Sequence, residues 1–332
     1  MSTPGKADNV RILVVRLGSM GDILHTLPAV ATLKNSYPES HLTWAVEPRW
    51  TPLIEDNPFV DNLVLLHRGS VTGLARTWRA LRATRYDFAI DFQGLLKSAV
   101  LAAAARPDRI YGWVRRQLRE PAAAWFYSDL VTGSAAHVVD RNLELAAAAG
   151  AENTLNVSPL PPGVPQGNLP AGDFVLASPL AGWRSKQWPM EHYRALAIRL
   201  ERETGIPLVL NVPDAAGLPA VQPLRPHVSG LAGLIHATRR AVAVVGVDSG
   251  PMHLAAALAK PGVAIFGPTD PARNGPYGNS LRVLRWPHAS TTYKRGTEIE
   301  ESMRRVTPDQ VFEALVGKGK GLSAGPRARE AY

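Results

Sequence analysis

The chain has 332 residues, 45% of them hydrophobic and 20% charged, with 37 Lys+Arg against 28 Asp+Glu for a net charge of +9. That composition excludes a disordered or fibrous chain, and the length exceeds the roughly 250–300 residues at which single cores stop growing, so two domains are expected. The absence of cysteine excludes disulfides, thiolate metal sites and Cys nucleophiles together.

VRILVV (10–15) reads as a buried strand, followed by a helix from Asp22 to about Asn35. LTWAV (42–46), NLVLL (62–66) and DFAID (87–91) are further strands with helical stretches between them, and Leu143–Ala149 closes this half as a helix. Alternation of this kind predicts parallel sheets with helices on both faces. LNVSPLPPGVPQGNLPAG (155–172) holds five prolines and three glycines. Proline fixes φ and cannot donate to a ladder, so this stretch is neither helix nor central strand. The pattern then restarts with DFVLAS (173–178), a helix after Pro189, PLVLNV (207–212), a helix around 231–240, VAVVGV (242–247), a helix from Gly250, and GVAIF (262–266). TPDQ opens a last helix, Thr307–Val316, with Thr as cap and Pro in the first turn. The expected organisation is a first domain over 1–154, a linker over 155–172, a second domain over 173–316 and a disordered basic tail over 317–332. Each domain is a doubly wound α/β unit, and the two are expected to face each other.

Charge is unevenly placed. Eleven Lys/Arg between Arg68 and Arg119 meet only Asp87, Asp91 and Asp108, a local +8, and the tail from Gly317 adds +3. Arg76, Arg79 and Arg82 alone fit a solvated helix face; the cluster as a whole points to an anionic partner. No apolar run reaches the ~18–20 residues of a bilayer span, and the polar start MSTPGKADNV is not a secretory signal. A cytoplasmic chain is expected.

Three loops carry candidate chemistry. In VVRLGSMGDILHTLP (14–28) a strand, a loop with Gly18 and Gly21, and a helix start fall together at the edge where α/β folds bind ligands. The G-x-G-x-x-G spacing is missing, although Glu47 at the end of the next strand imitates a ribose-binding acid. Asp22 counts against a dinucleotide, because a carboxylate at the helix start repels a pyrophosphate. Two readings of Asp22 stand: a helix cap, or a general base. His25, one turn on, reads as structural.

VVGVDSGPMHLAAALAKPGVAIFGPTDP (244–271) brings Asp248, Ser249, Gly250 and His253 to a strand–helix turn. Small residues there let the backbone approach phosphates. In SPLAGWRSKQWPMEHY (178–193), Lys186 precedes the helix opened by Pro189. It reads either as a solvated lysine or as a charge for a leaving phosphate. No metal-ligand spacing and no G-x-S-x-G elbow are present.

Taken together, GSMGDILHTLP (18–28), DFQGLLKSA (91–99), REPAAAWFY (119–127), HVVDRN (137–142), SKQWP (185–189), VDSGPMHLAAAL (247–258) and FGPTDP (266–271) resemble glycosyltransferase family 9, the lipopolysaccharide heptosyltransferases. DFQGLLKSA and REP…FY most resemble the members that add the first heptose to the 3-deoxy-octulosonate (Kdo) of lipid A. The resemblance implies a GT-B architecture with two Rossmann-like domains, acceptor on the first and nucleotide sugar on the second. It also implies inverting transfer from ADP-L-glycero-D-manno-heptose. The sugar nucleotide is a substrate, and no cofactor is implied.

On the matching positions, Asp22 is the base and Lys186 the phosphate contact. Asp248 holds the heptose hydroxyls, and Ser249, Gly250 and His253 form the pyrophosphate loop. Gly21, Arg119, His137 and Arg141 fall near the acceptor's carboxylates and phosphates. Asp214 in NVPDAAG stands as a ribose ligand, in a segment without the Trp-Gly and Glu usual there; Ala181-Gly182-Trp183 replace a Thr-rich turn. The implied partners are ADP-heptose, Kdo2-lipid A and the anionic cytoplasmic face of the inner membrane, touched peripherally.

The residues read alone agree with an inverting transfer, which needs a base for the acceptor hydroxyl and cationic stabilisation of the departing diphosphate. The alternatives are a second-heptose enzyme of the same family, a sugar-nucleotide epimerase, and a non-catalytic nucleotide-binding module. Nucleic acid is disfavoured, because the arginines lack an interleaved stacking platform.

Overall fold

The computed structural model describes residues 9–213 and 223–317, so the ribose candidate Asp214 and the tail from Lys318 lie outside the described residues. The chain forms two compact units, Met1–Pro161 and Pro162–Tyr332. The first runs β1 (Arg11–Val15), α1 (Met20–Leu24), α2 (Leu27–Ser36), β2 (His41–Val46), β3 (Asn62–Leu65), α3 (Val71–Arg82), β4 (Phe88–Asp91), α4 (Leu96–Ala104), β5 (Arg109–Trp113), β6 (Asp129–Val131) and α5 (Val138–Ala148). The second runs β7 (Val175–Ser178), α6 (Met190–Thr204), β8 (Leu208–Val212), β9 (Arg225–Val228), α7 (Leu231–Arg240), β10 (Ala243–Val247), α8 (Gly250–Ala257), β11 (Gly262–Phe266), α9 (Pro271–Asn274), β12 (Leu281–Arg285), α10 (Glu301–Arg304) and α11 (Pro308–Val316).

Each unit has one parallel six-stranded sheet, ordered β3-β2-β1-β4-β5-β6 and β12-β11-β10-β7-β8-β9. The second order is the first repeated in mirror listing, so both units share one doubly wound topology. The strand order reverses between β1 and β4 and between β7 and β10, and loops leaving the carboxyl ends there diverge to opposite faces, opening a crevice. Central strands such as β1 and β10 are apolar almost throughout because helices cover both faces.

Two features differ from the sequence reading. The helix expected from Asp22 to Asn35 is two helices, broken at His25–Thr26. Pro28 has no N–H to give the Leu24 carbonyl, and it falls in the first turn of α2, where none is needed. The neighbouring His25 carbonyl accepts instead from Asn142 Nδ2 at 2.9 Å. Strands β5, β6, β9 and β12 were not read from the sequence.

The Pro-rich stretch is anchored at both ends. Leu155 N–H donates to Thr32 Oγ1 (3.0 Å) and Pro159 O accepts from Asn57 Nδ2 (2.9 Å) in the first unit. Val164 N–H donates to Ala232 O (3.0 Å) in the second. In the second unit's core Trp188 packs edge-on against Tyr193 at 4.8 Å and donates through Nε1 to Val306 O at 2.8 Å. α11 begins with the expected cap, Thr307 Oγ1 accepting from Gln310 N–H.

Candidate active site

In the first unit the switch point is occupied by an oriented carboxylate. Val15 and Asp91, the last residues of β1 and β4, lie in register. The loops leaving them are tied together, Leu17 N–H to Gln93 Oε1 (3.0 Å) and Arg16 Nη1 to the Phe92 carbonyl. Gly18 follows at φ +153°, where a Cβ would overlap the Trp50 indole, so glycine alone fits. Asp22 is the third residue of α1. Its Oδ2 accepts from Ser19 N–H (2.9 Å) and Ser19 Oγ (3.1 Å), and Arg16 Nη2 lies 2.6 Å from its Oδ1. The Arg16 side chain is 7% exposed and that of Asp22 is 38% exposed. Asp22 thus caps the helix and still presents an oriented carboxylate to solvent.

Other first-unit candidates gather around it. Gly21 is buried beside Asp22. His25 is buried, its ring edge-on to His137 at 5.8 Å. His137 caps α5, Nδ1 accepting from Val139 N–H at 3.1 Å, which leaves Nε2 to carry the proton of the neutral ring. Arg141, one turn on, lies 4.7 Å over the Trp113 ring at the end of β5. Arg119 is exposed and forms no hydrogen bond or ion pair among the described residues, so contacts do not bring it to the others. Glu47, the ribose-like acid, is instead paired with Arg68 and, at 3.1 Å, with Arg49.

Sequence reasoning gave no role to Arg16 or Asp91. A lone charge inside the apolar run VVRLG is the signal for Arg16, because such a group must find a partner. Asp91 is wholly buried. It accepts from the backbone of Gln93 (2.9 Å) and Gly94 (3.1 Å), from Ser98 Oγ (2.8 Å) and from Tyr127 OH (2.7 Å). Burial raises its pKa despite these donors, and burial together with the neighbouring carboxylate pushes the Tyr127 phenol up. Glu120 Oε2 accepts from Leu96 N–H at 2.8 Å. The segments DFQGLLKSA and REPAAAWFY are therefore locked into one piece.

The second unit's site lies at the carboxyl ends of β7, β10 and β11. Asp248 follows β10; its Oδ2 meets Lys186 Nζ at 2.9 Å and Thr269 Oγ1 at 2.8 Å, and its Oδ1 lies 3.9 Å from His253 Nε2. Lys186 is 14% exposed and lies 4.8 Å over Trp183, so the solvated reading of this lysine is set aside. Ser249 stands at the N-cap position of α8, which Gly250 opens, but its buried Oγ makes no capping bond and has no partner among the described residues. Asp248, Ser249, Gly250, His253 and Lys186 are thus brought together, with Thr269 added by the structure. A cavity of about 210 Å³ adjoins them, lined by Ser178, Asn211, Pro213, Ser229, Gly230 and Pro251 among others. Among the described residues no cluster of three or more His, Asp or Glu is arranged to hold a metal ion.

Comparison with known proteins gives consistent results. The profile of glycosyltransferase family 9 (heptosyltransferase) matches residues 74–303. The chain is 32% identical over 317 residues to lipopolysaccharide heptosyltransferase 1 of Escherichia coli strain K12, covering 84% of this chain and 94% of that protein. It is 28% identical over 352 residues to lipopolysaccharide heptosyltransferase 2 of the same strain, covering 92% and 97%. The solved structure of E. coli heptosyltransferase WaaC with ADP-2-deoxy-2-fluoro heptose superposes with a TM-score of 0.72 at 27% identity, covering 91% of this chain and 98% of that one.

Proposed function

The chain belongs to glycosyltransferase family 9 and is a heptosyltransferase of lipopolysaccharide core synthesis, with a GT-B fold; we propose that it adds the first heptose, moving it with inversion from ADP-heptose to the Kdo of lipid A at the cytoplasmic face of the inner membrane. The higher identity to heptosyltransferase 1 than to heptosyltransferase 2 supports the first-heptose reading. In this reading the first unit binds the acceptor and the second the donor.

The observation that carries the mechanism is Asp22, held through both oxygens by Ser19 and Arg16 yet open to solvent. Asp22 takes the proton of the acceptor hydroxyl as its oxygen attacks the anomeric carbon. The bond from that carbon to the ADP oxygen breaks on the opposite face, and the configuration inverts. Charge develops on the departing diphosphate, which Lys186, Ser249 Oγ and the Gly250 N–H at the start of α8 are suited to meet. Lys186 is paired with Asp248. When the diphosphate draws Lys186 to itself, Asp248 is freed to accept from heptose hydroxyls, so donor binding completes both halves of the subsite. Arg141 and Arg119 pair with acceptor carboxylates or phosphates, and His137 donates through Nε2.

The test is ADP release from ADP-heptose, with and without de-acylated Kdo2-lipid A, by the wild type and Asp22→Asn. Acceptor-dependent release that disappears in the variant while ADP still binds is expected. Release independent of acceptor, or retained by Asp22→Asn, refutes the assignment.

A further inference from the structure

We propose that the face formed by α3, α4 and the short turn Pro121–Phe126 docks on an anionic lipid bilayer, with Trp78 and Trp125 entering the headgroup layer. This extends the membrane part of the reading above and leaves its chemistry untouched.

α3 is inverted relative to an ordinary surface helix. It turns only Gly73, Thr77 and Leu81 inward, a narrow stripe at i, i+4, i+8. A Cβ on Gly73 would come within 2.9 Å of His67 Cβ, and Thr77 Oγ1 donates to Leu65 O at 2.9 Å, so the helix lies close upon the end of β3. Its larger apolar residues point outward: Val71 is 83% exposed, Leu74 50% and Trp78 47%. They recur at i, i+3, i+7, the spacing of a face meant to be covered. α3 packs against α4, where Leu96 and Val100 are exposed, and α4 packs against the turn carrying Trp125, which is 74% exposed. Single exposed apolar residues are ordinary, but six on adjoining elements form a patch.

The charge around the patch selects the occupant. α3, α4 and residues 115–126 contain seven Lys/Arg and one acid, Glu120, which is engaged in capping α4. Arg82 lies 4.2 Å over Trp78 and Arg115 lies 5.8 Å over Trp125. A tryptophan flanked by arginine suits the layer between lipid phosphates and acyl chains, where ring and guanidinium find their own depths. A second copy of this chain would set like charge against like charge. No helix among the described residues is long and apolar enough to cross a membrane, so the contact is one of surface attachment.

Co-sedimentation of the full chain with vesicles of phosphatidylcholine containing phosphatidylglycerol, against phosphatidylcholine alone, tests this. Binding to the anionic vesicles is expected, with a remnant surviving high salt. Arg76→Gln and Arg79→Gln each lower binding about five-fold at low salt. Trp78→Ala lowers it roughly ten-fold and removes the salt-resistant remnant; Leu74→Ser acts in the same direction without loss of a ring. Thermal melts check that the variants fold, and turnover of de-acylated acceptor without vesicles stays at the wild-type level. Vesicle binding unaffected by Trp78→Ala and Leu74→Ser overturns the proposal. So does a wild type that ignores anionic vesicles, or one that self-associates through this face and becomes monomeric in Trp78→Ala. Loss of turnover with vesicle binding intact refutes the proposed reaction and leaves the docking face standing.

Discussion

Arg16→Met separates the positioning of Asp22 from its chemistry. The substitution removes two contacts made by a side chain that is 7% exposed, the 2.6 Å pair to Asp22 Oδ1 and the hydrogen bond to Phe92 O. Asp22 is 38% exposed, so water replaces the guanidinium there, and that pair is worth ~0–1 kcal/mol to stability. The Phe92 carbonyl is left without this donor at a cost of ~1–3 kcal/mol. Together these predict about 1–4 kcal/mol and a melting shift of roughly 2–4 °C per kcal/mol for a unit of this size. The effect on rate is larger, because the carboxylate keeps only the Ser19 anchor. A displacement of ~1 Å costs about 100-fold in kcat. Steady-state ADP release should therefore show kcat down about 100-fold with KM for the donor unchanged, since the proposed donor contacts are residues of the second unit. Arg16→Lys places a point charge where a planar fork served two acceptors, and falls between the two. If Arg16→Met melts lower while kcat stays within a few-fold of wild type, Arg16 supports the fold alone and the reasoning fails.

Lys186→Met leaves the Asp248 carboxylate, 10% exposed, without its cation. Donor affinity should fall more in this variant than in Lys186→Met/Asp248→Asn, a coupling that a double-mutant cycle of ADP binding by calorimetry reads directly. Burial lowers the pKa of His227 below its ordinary value near 6.5. The unfolded chain therefore binds the proton first, and His227's contribution to stability is full above pH ~6.5 and lost as pH falls through the folded pKa. Denaturant melts across that range should show a shallower acid-side loss in His227→Gln. Trp188→Ala empties part of the second core and removes the bond to Val306 O, costing ~3–5 kcal/mol. Chemical unfolding should then show the second unit melting first, with donor binding lost alongside because Lys186 sits two residues upstream.

The candidate site residues were readable because they sit in loops punctuated by glycine. Gly18, Gly21 and Gly250 mark places where the chain turns from strand to helix, and Asp22, Asp248 and Ser249 stand beside them. The central strands were readable for a similar reason: buried on both faces, they are unbroken apolar runs. The four strands that escaped lack that signature. β6, β9 and β12 lie towards the sheet margins, and β9 even contains Pro226, which an edge strand tolerates because its neighbour is on one side only. β5 begins with Arg109 and contains Gly112, required because a Cβ there would enter the Tyr127 ring, a contact invisible before the fold is known.

The partners that orient the site are hidden for the same physical reason. Arg16 reaches Phe92, Asn142 reaches His25, and Tyr127 reaches Asp91 across long sequence separations. Local propensity contains no record of such pairs; only the parallel sheet, by bringing strand ends into register, makes them neighbours. The resemblance of DFQGLLKSA and REPAAAWFY to a family held the two segments as separate pieces of text. The Asp91–Tyr127 and Leu96–Glu120 bonds join them in the fold: each segment supplies groups that satisfy the other's buried or orphaned polar atoms.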